Sequence, residues 1–85
     1  MARAAVTIKG REIVGDEIAI TLHVIFFGSD MAAPDATLVT VNSAAGDTPA
    51  AWRQKRNGAI AAEAQRLGIN WNGRIVSDAD LLRDA

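Results

Sequence analysis

Apolar and polar residues alternate most regularly between Glu17 and Phe27, where Ile18, Ile20, Leu22, Val24 and Phe26 fill every second position. A period of two is that of a β-strand with one buried face. The opposite face carries Glu17, Ala19, Thr21 and His23, then turns apolar at Ile25 and Phe27. Residues 4–9 read as an earlier strand, and Gly15-Asp16 between Ile13-Val14 and Glu17 is a hairpin turn signal. A two-residue turn there pairs Val14 with Glu17 and Ile8 with His23, which sets the apolar faces of the two strands on opposite sides. Moving the pairing by one residue brings Val6 and Ile8 onto the face of Val24 and Phe26. The pattern therefore predicts a bulge near Gly10 or a longer loop over residues 15–17. At ~3.3 Å per residue the second strand is about 36 Å long, and a compact domain of this size has a radius of gyration of about 12 Å. One end of that strand has room to project.

The Gly, Asp and Pro residues of 28–35 mark a loop, and Thr37-Leu-Val-Thr-Val-Asn42 reads as a third, β-branched strand. After a second loop at 43–47, Thr48 is placed to N-cap a helix, Pro49 suits its first position and Asp47 lies near its positive end. The helix is expected to run to Leu67 and stop at Gly68, with a core stripe of Trp52, Ala59, Ile60, Ala64 and Leu67. Gly58, in mid-helix, marks either a close approach to the sheet or a weak point. Asn72-Gly73 is a turn dipeptide separating Ile69-Asn70-Trp71 from Arg74-Ile75-Val76, at least one of which is expected to pair as a fourth strand. Ser77 with Asp80 resembles a capping box for a short last turn containing Leu81 and Leu82. The order β-β-β-α-β predicts an α+β fold, a mostly antiparallel sheet with one helix packed on one face.

Eighty-five residues make a single domain, 1–85, whose core is small. The chain has no cysteine and one histidine, His23, so neither a disulfide nor a Cys/His zinc site is expected. With 9 basic and 10 acidic residues it lacks the basic excess of a general nucleic-acid binder. No apolar run approaches the ~20 residues of a membrane helix, and the first residues alternate instead of forming a signal-peptide core. A soluble protein made in the cytosol is expected. Alanine is about one residue in five and arginine outnumbers lysine seven to two, a composition that fits GC-rich coding.

Candidate chemistry is sparse. Arg53-Gln54-Lys55-Arg56 is the basic cluster, either a patch for phosphate or an acidic partner or a solvated helix face. It lies where the helix dipole disfavours cations, and Glu63 is seven or more residues away from each base. Asp78-x-Asp80 has a spacing that can hold a divalent cation, but without further carboxylates capping is the better reading. His23 has no nucleophile-elbow serine to act on, since Ser29, Ser43 and Ser77 fall in no such pattern. No Walker A or dinucleotide-binding glycine pattern occurs. Trp52 and Trp71 are needed for the core before they are available to stack on bases. No cofactor, metal or enzymatic activity is expected. Ile25 and Phe27, apolar at the end of an outward face, point instead to contact with another subunit, unless the 28–35 loop folds over them.

The alternating hairpin, the Thr-Leu-Val-Thr-Val strand, the Thr-Pro-Ala-Ala-Trp-Arg-Gln-Lys helix start, and Glu-Ala-Gln-Arg-Leu-Gly-Ile leading to Arg-Ile-Val-Ser-Asp-Ala-Asp-Leu-Leu together resemble small virion proteins of tailed bacteriophages. The likeness spans about residues 4–82 and lies in layout. It implies a non-enzymatic structural subunit of the particle, as capsid cement or decoration, neck, or tail or fibre component. The partners implied are other virion proteins and copies of itself, with the chain located in the virion after assembly in the host cytoplasm. Ile25, Phe27, Leu81 and Leu82 are the apolar interface candidates, and Arg53, Lys55 and Arg56 the charged ones. The alternative is a small nucleic-acid-associated or regulatory module using those three bases.

Overall fold

Gly15, at φ +64, occupies the first central position of a two-residue turn that pairs Val14 with Glu17, the place where a type II′ hairpin needs a residue free to adopt positive φ. The hairpin belongs to a computed structural model that describes residues 1–76. Strand β1 (Ala2–Val14) and β2 (Glu17–Phe27) form the hairpin, and β3 (Asp35–Ala44), α1 (Pro49–Leu67) and β4 (Trp71–Val76) follow. The sheet order is β3-β2-β1-β4, antiparallel except for the parallel pairing of β4 with β1. This is the expected α+β architecture.

Of the two expected alternatives, a bulge near Gly10 or a longer loop over residues 15–17, the fold takes the bulge. Ile8 pairs with Leu22 and Gly10 with Thr21, so Lys9 is the extra residue. One added residue flips the pleat, so Ala4, Val6 and Ile8 share a face with Phe26, Val24 and Leu22, and Arg11 and Ile13 share it with Ile20 and Ile18. Strand β1 is longer than its apolar run suggests, because after the bulge its polar stretch through Arg11 and Glu12 still pairs with β2.

Helix α1 begins and ends on local chemistry. The Thr48 hydroxyl accepts from the Ala51 N–H at 3.1 Å, and Pro49 occupies the first turn. At the other end Gly68 is left-handed (φ 73), its N–H donates to the Gln65 carbonyl, and the Ile69 N–H donates to that of Ala64 at 2.8 Å. That double bond pattern is a Schellman motif. Ile60 and Ala64 enter a core with Ala2, Ala4, Ile20, Leu22, Val24, Phe26, Val39 and Val41, and Trp52, Ala59 and Leu67 pack at its margin. Gly58 is exposed, with nothing within 4 Å of where a Cβ would stand, so it is a weak point and not a close approach. Gly58→Ala is accordingly expected to stabilise the domain by about 1 kcal/mol, seen as a higher urea midpoint at unchanged slope.

Asn72-Gly73 does not turn the chain back. Ala2 pairs with Trp71 and Ala4 with Ile75, so four residues of β4 cover the length of two in β1 and Asn72-Gly73 bulges out within one strand. The local chemistry is still that of a turn. Gly73 sits at φ +82, the Asn72 side-chain oxygen accepts from the Arg74 N–H at 2.8 Å, and the Trp71 indole N–H donates to the Arg74 carbonyl at 2.9 Å.

Candidate functional site

With one helix on the sheet, β-strand parity decides what the other face presents. Strand β2 places Ala19, Thr21, His23, Ile25 and Phe27 there, β3 adds Ala36, Leu38, Thr40 and Asn42, and β1 adds Arg3, Ala5 and Thr7. Ile25 is half-buried, in a row with Ala36, Ala5 and Val76. Phe27 is only 6% exposed: Arg3 pairs with it across the hairpin and lays its guanidinium 4.8 Å from the ring centroid. A cation over an aromatic face both shields and polarises the ring contact. Leu38, 61% exposed, is the large apolar side chain that this face leaves to solvent. The 28–35 loop sends Met31 to the margin of the helix-side core. His23, half-buried, is flanked across the strands by Thr7 and Leu38.

A second apolar surface, apart from the interface residues expected from the sequence, lies at the far end of the β1–β2 hairpin. Ile13 is 80% exposed, Val14 53%, Ile8 48% and Ile18 40%. Ile8, Ile13 and Ile18 all sit on the helix side of the sheet. They are uncovered because α1 makes its closest approach to the two edge strands, β3 and β4, and β4 pairs with β1 only over Ala2–Ala5. Among the described residues, the distal half of β1 from Ile8 to Val14 therefore has no helix above it and, on the edge away from β2, no strand beside it. The molecule is drawn out to 41 Å along its longest axis, against 24 and 20 Å across.

The basic cluster is partly neutralised by a residue outside the i±4 window. Asp47, in the loop before the helix, binds the Lys55 ammonium at 2.7 Å and also accepts from the Ala44 N–H. The lysine, and after it that N–H, hold the Asp47 carboxyl below its ordinary value. Arg53 is exposed, and the Arg56 Nε–H donates to the Asn57 side-chain oxygen at 3.1 Å. Further along the helix, Arg66 pairs with Glu63, whose carboxylate also accepts from the Thr37 hydroxyl at 2.9 Å. Arg66 first, then Thr37, hold Glu63 low as well. Depressed carboxyls stabilise the fold at neutral pH, a contribution lost as pH falls through their folded-state values. These pairs fasten the helix to the loop before it and to β3.

A shallow cleft of about 360 Å³ lies at the opposite end from the hairpin, between Ala2, Met31, Ala33, Gly68 and Ile69. Its one charged lining group, Asp30, is bound by the N-terminal ammonium at 3.0 Å. Among the described residues no group of three or more His, Asp or Glu side chains is gathered as metal ligands. The candidates Ser77, Asp78, Asp80, Leu81 and Leu82 lie outside the described residues. The chain matches no known protein family, no curated protein and no solved structure.

Proposed function

We propose that the chain is a non-enzymatic structural subunit that works by protein–protein assembly, and that its setting is a tailed-phage particle. The observation that carries the assembly reading is the uncovered hairpin. Four large aliphatic side chains in one 41 Å-long small domain face water at its far end, where a neighbouring subunit would bury them. The phage setting is supported by the resemblance in layout alone. Under this reading Leu38 and the half-buried Ile25 give a further contact on the open sheet face, and the ordered charge pairs serve stability.

The test is occupancy of the particle. Particles produced with an epitope-labelled chain are purified and the bound chain is quantified, for the wild type and for Ile13→Lys/Ile18→Lys. Wild-type chain is expected to co-purify in fixed stoichiometry, and the double variant to fall at least tenfold while remaining folded by circular dichroism. Equal occupancy of the variant would remove the hairpin from the contact. Failure of the wild type to co-purify, with salt-dependent DNA or RNA binding that neutralising Arg53, Lys55 and Arg56 weakens, would establish the binding-module alternative instead.

A further inference from the structure

The outer edge of β1 between Ile8 and Ile13 reads Ile-Lys-Gly-Arg-Glu-Ile, apolar and cationic at one end, anionic and apolar at the other. Run antiparallel to itself, such a segment sets apolar against apolar and cation against anion. We infer that this edge is a self-recognition surface, where β1 of one copy pairs antiparallel with β1 of a second copy about a two-fold axis at Arg11. This deepens the proposed assembly function and rests on it.

Three features of the fold make the partner a second copy. First, among the described residues β4 pairs only with Ala2, Ala4 and Ala5, and no described strand pairs with the outer edge of β1 from Ile8 to Val14. Unpaired N–H and C=O groups along a strand edge are a template for another strand.

Second, the bulge sets the faces. Ile8 and Ile13 are five positions apart and would point to opposite sides of a regular strand. The extra residue at Lys9 puts both on the helix side of the sheet. An axis at Arg11 then places Ile8 opposite the second copy's Ile13, and Ile13 opposite its Ile8, both pairs on one face. A partner strand without that extra residue would meet one isoleucine and miss the other.

Third, the charges match in the same register. Lys9 and Gly10 together oppose the second copy's Glu12, as they together oppose Thr21 on the inner side. The two-fold repeats the Lys9–Glu12 contact, giving two opposite-charge pairs and two Ile8–Ile13 pairs for a single Arg11–Arg11 juxtaposition at the axis. Cross-strand pairs of these kinds are what stabilise a sheet, and like charges face to face oppose it. A C2 contact is self-complementary by construction. An edge of this length buries less than a standard interface, so the isolated pair is weak and shows itself with concentration.

The test uses the full chain and analytical ultracentrifugation up to about 1 mM, the affinity scale of a contact this small. The wild type is expected to dimerise reversibly. Glu12→Lys alone and Lys9→Glu alone each place like charges at both pairs, and each is expected to raise the dissociation constant at least tenfold. Mixing the two variants restores both pairs in a heterodimer, which is expected to associate at least as tightly as the wild type. Arg11→Gln, which relieves the contact at the axis, is expected to tighten the dimer severalfold. Circular dichroism confirms that each variant is folded. A wild type that stays monomeric, or variants whose mixture fails to associate, would overturn the self-pairing. Occupancy of the particle is measured separately, so a monomeric chain that still co-purifies with particles would refute this inference and leave the subunit reading standing.

Discussion

Replacing Phe26 with alanine is expected to remove about 3–5 kcal/mol of folding stability, the largest loss from any single truncation here. The side chain is fully buried on the helix side of β2, beside Leu22, Val24 and Ile60 in the same core. Its opposite on β1 is Ala4, a side chain too small to collapse into the space left behind. At roughly 0.05–0.15 kcal/mol per residue, a chain of this length has a total stability on the order of 4–13 kcal/mol, so the variant ranges from crippled to unfolded. Leu38→Ala supplies the contrast. On the open face and 61% exposed, it is expected to change stability by no more than about 0.5 kcal/mol. Urea unfolding followed by tryptophan fluorescence reads both. A Phe26→Ala loss under about 1 kcal/mol would mean that the helix does not seal the core as described.

Adding one methyl group at Gly28 is expected to cost about 1–3 kcal/mol. A Cβ there would stand 2.9 Å from the Asp30 carboxylate, 3.0 Å from the Met1 carbonyl oxygen and 3.3 Å from the Ala2 Cα. The carboxylate can swing aside, at the expense of its contact with the N-terminal ammonium. The other two atoms are backbone and have less freedom. The Ala2 N–H donates to the Asn70 carbonyl at 2.8 Å, so displacing them opens the start of the β1–β4 pairing. Gly46→Ala is the control, because nothing lies within 4 Å of its Cβ position and its φ is ordinary. Gly28→Ala should lose midpoint in urea while Gly46→Ala holds or gains; equal midpoints would contradict the close approach.

What was legible in the sequence follows the range of the forces involved. The limits of α1 come from contacts within a few residues, the Thr48 cap and the Gly68 Schellman turn, and the sequence shows both. The need for one extra residue is legible through geometry, as a bulge near Gly10 or a longer loop over 15–17, and the two-residue turn of the fold leaves the bulge. Asn72-Gly73 shows the reverse. Its preference for positive φ is realised at Gly73, but the strand carries on past it, and only the parallel register with β1 reveals that.

The interface residues were harder. Phe27 reads as an outward aromatic, yet Arg3 arrives over it through a cross-strand pairing 24 positions away. Ile8 and Ile18 read as part of the apolar face by parity, and with Ile13 they do face the helix side. Their exposure depends on α1 favouring the two edge strands, a property of the packed molecule that no window of sequence contains. Lys55 found its counterion eight residues back, beyond the helical spacing at which one searches.

Because β1 lies inside the sheet, its first residues are held at the end of the molecule away from the Gly15-Asp16 turn, with Met1 against Asp30 and Ala2 against Asn70. A strand of 13 residues separates the two ends by about 40 Å. A fluorophore coupled at Met1 would thus stand clear of the hairpin and report on it without obstructing it. In a pair joined antiparallel along β1, the two labels would mark the opposite extremities of the assembly, and the separation between them becomes a molecular ruler for how the copies meet.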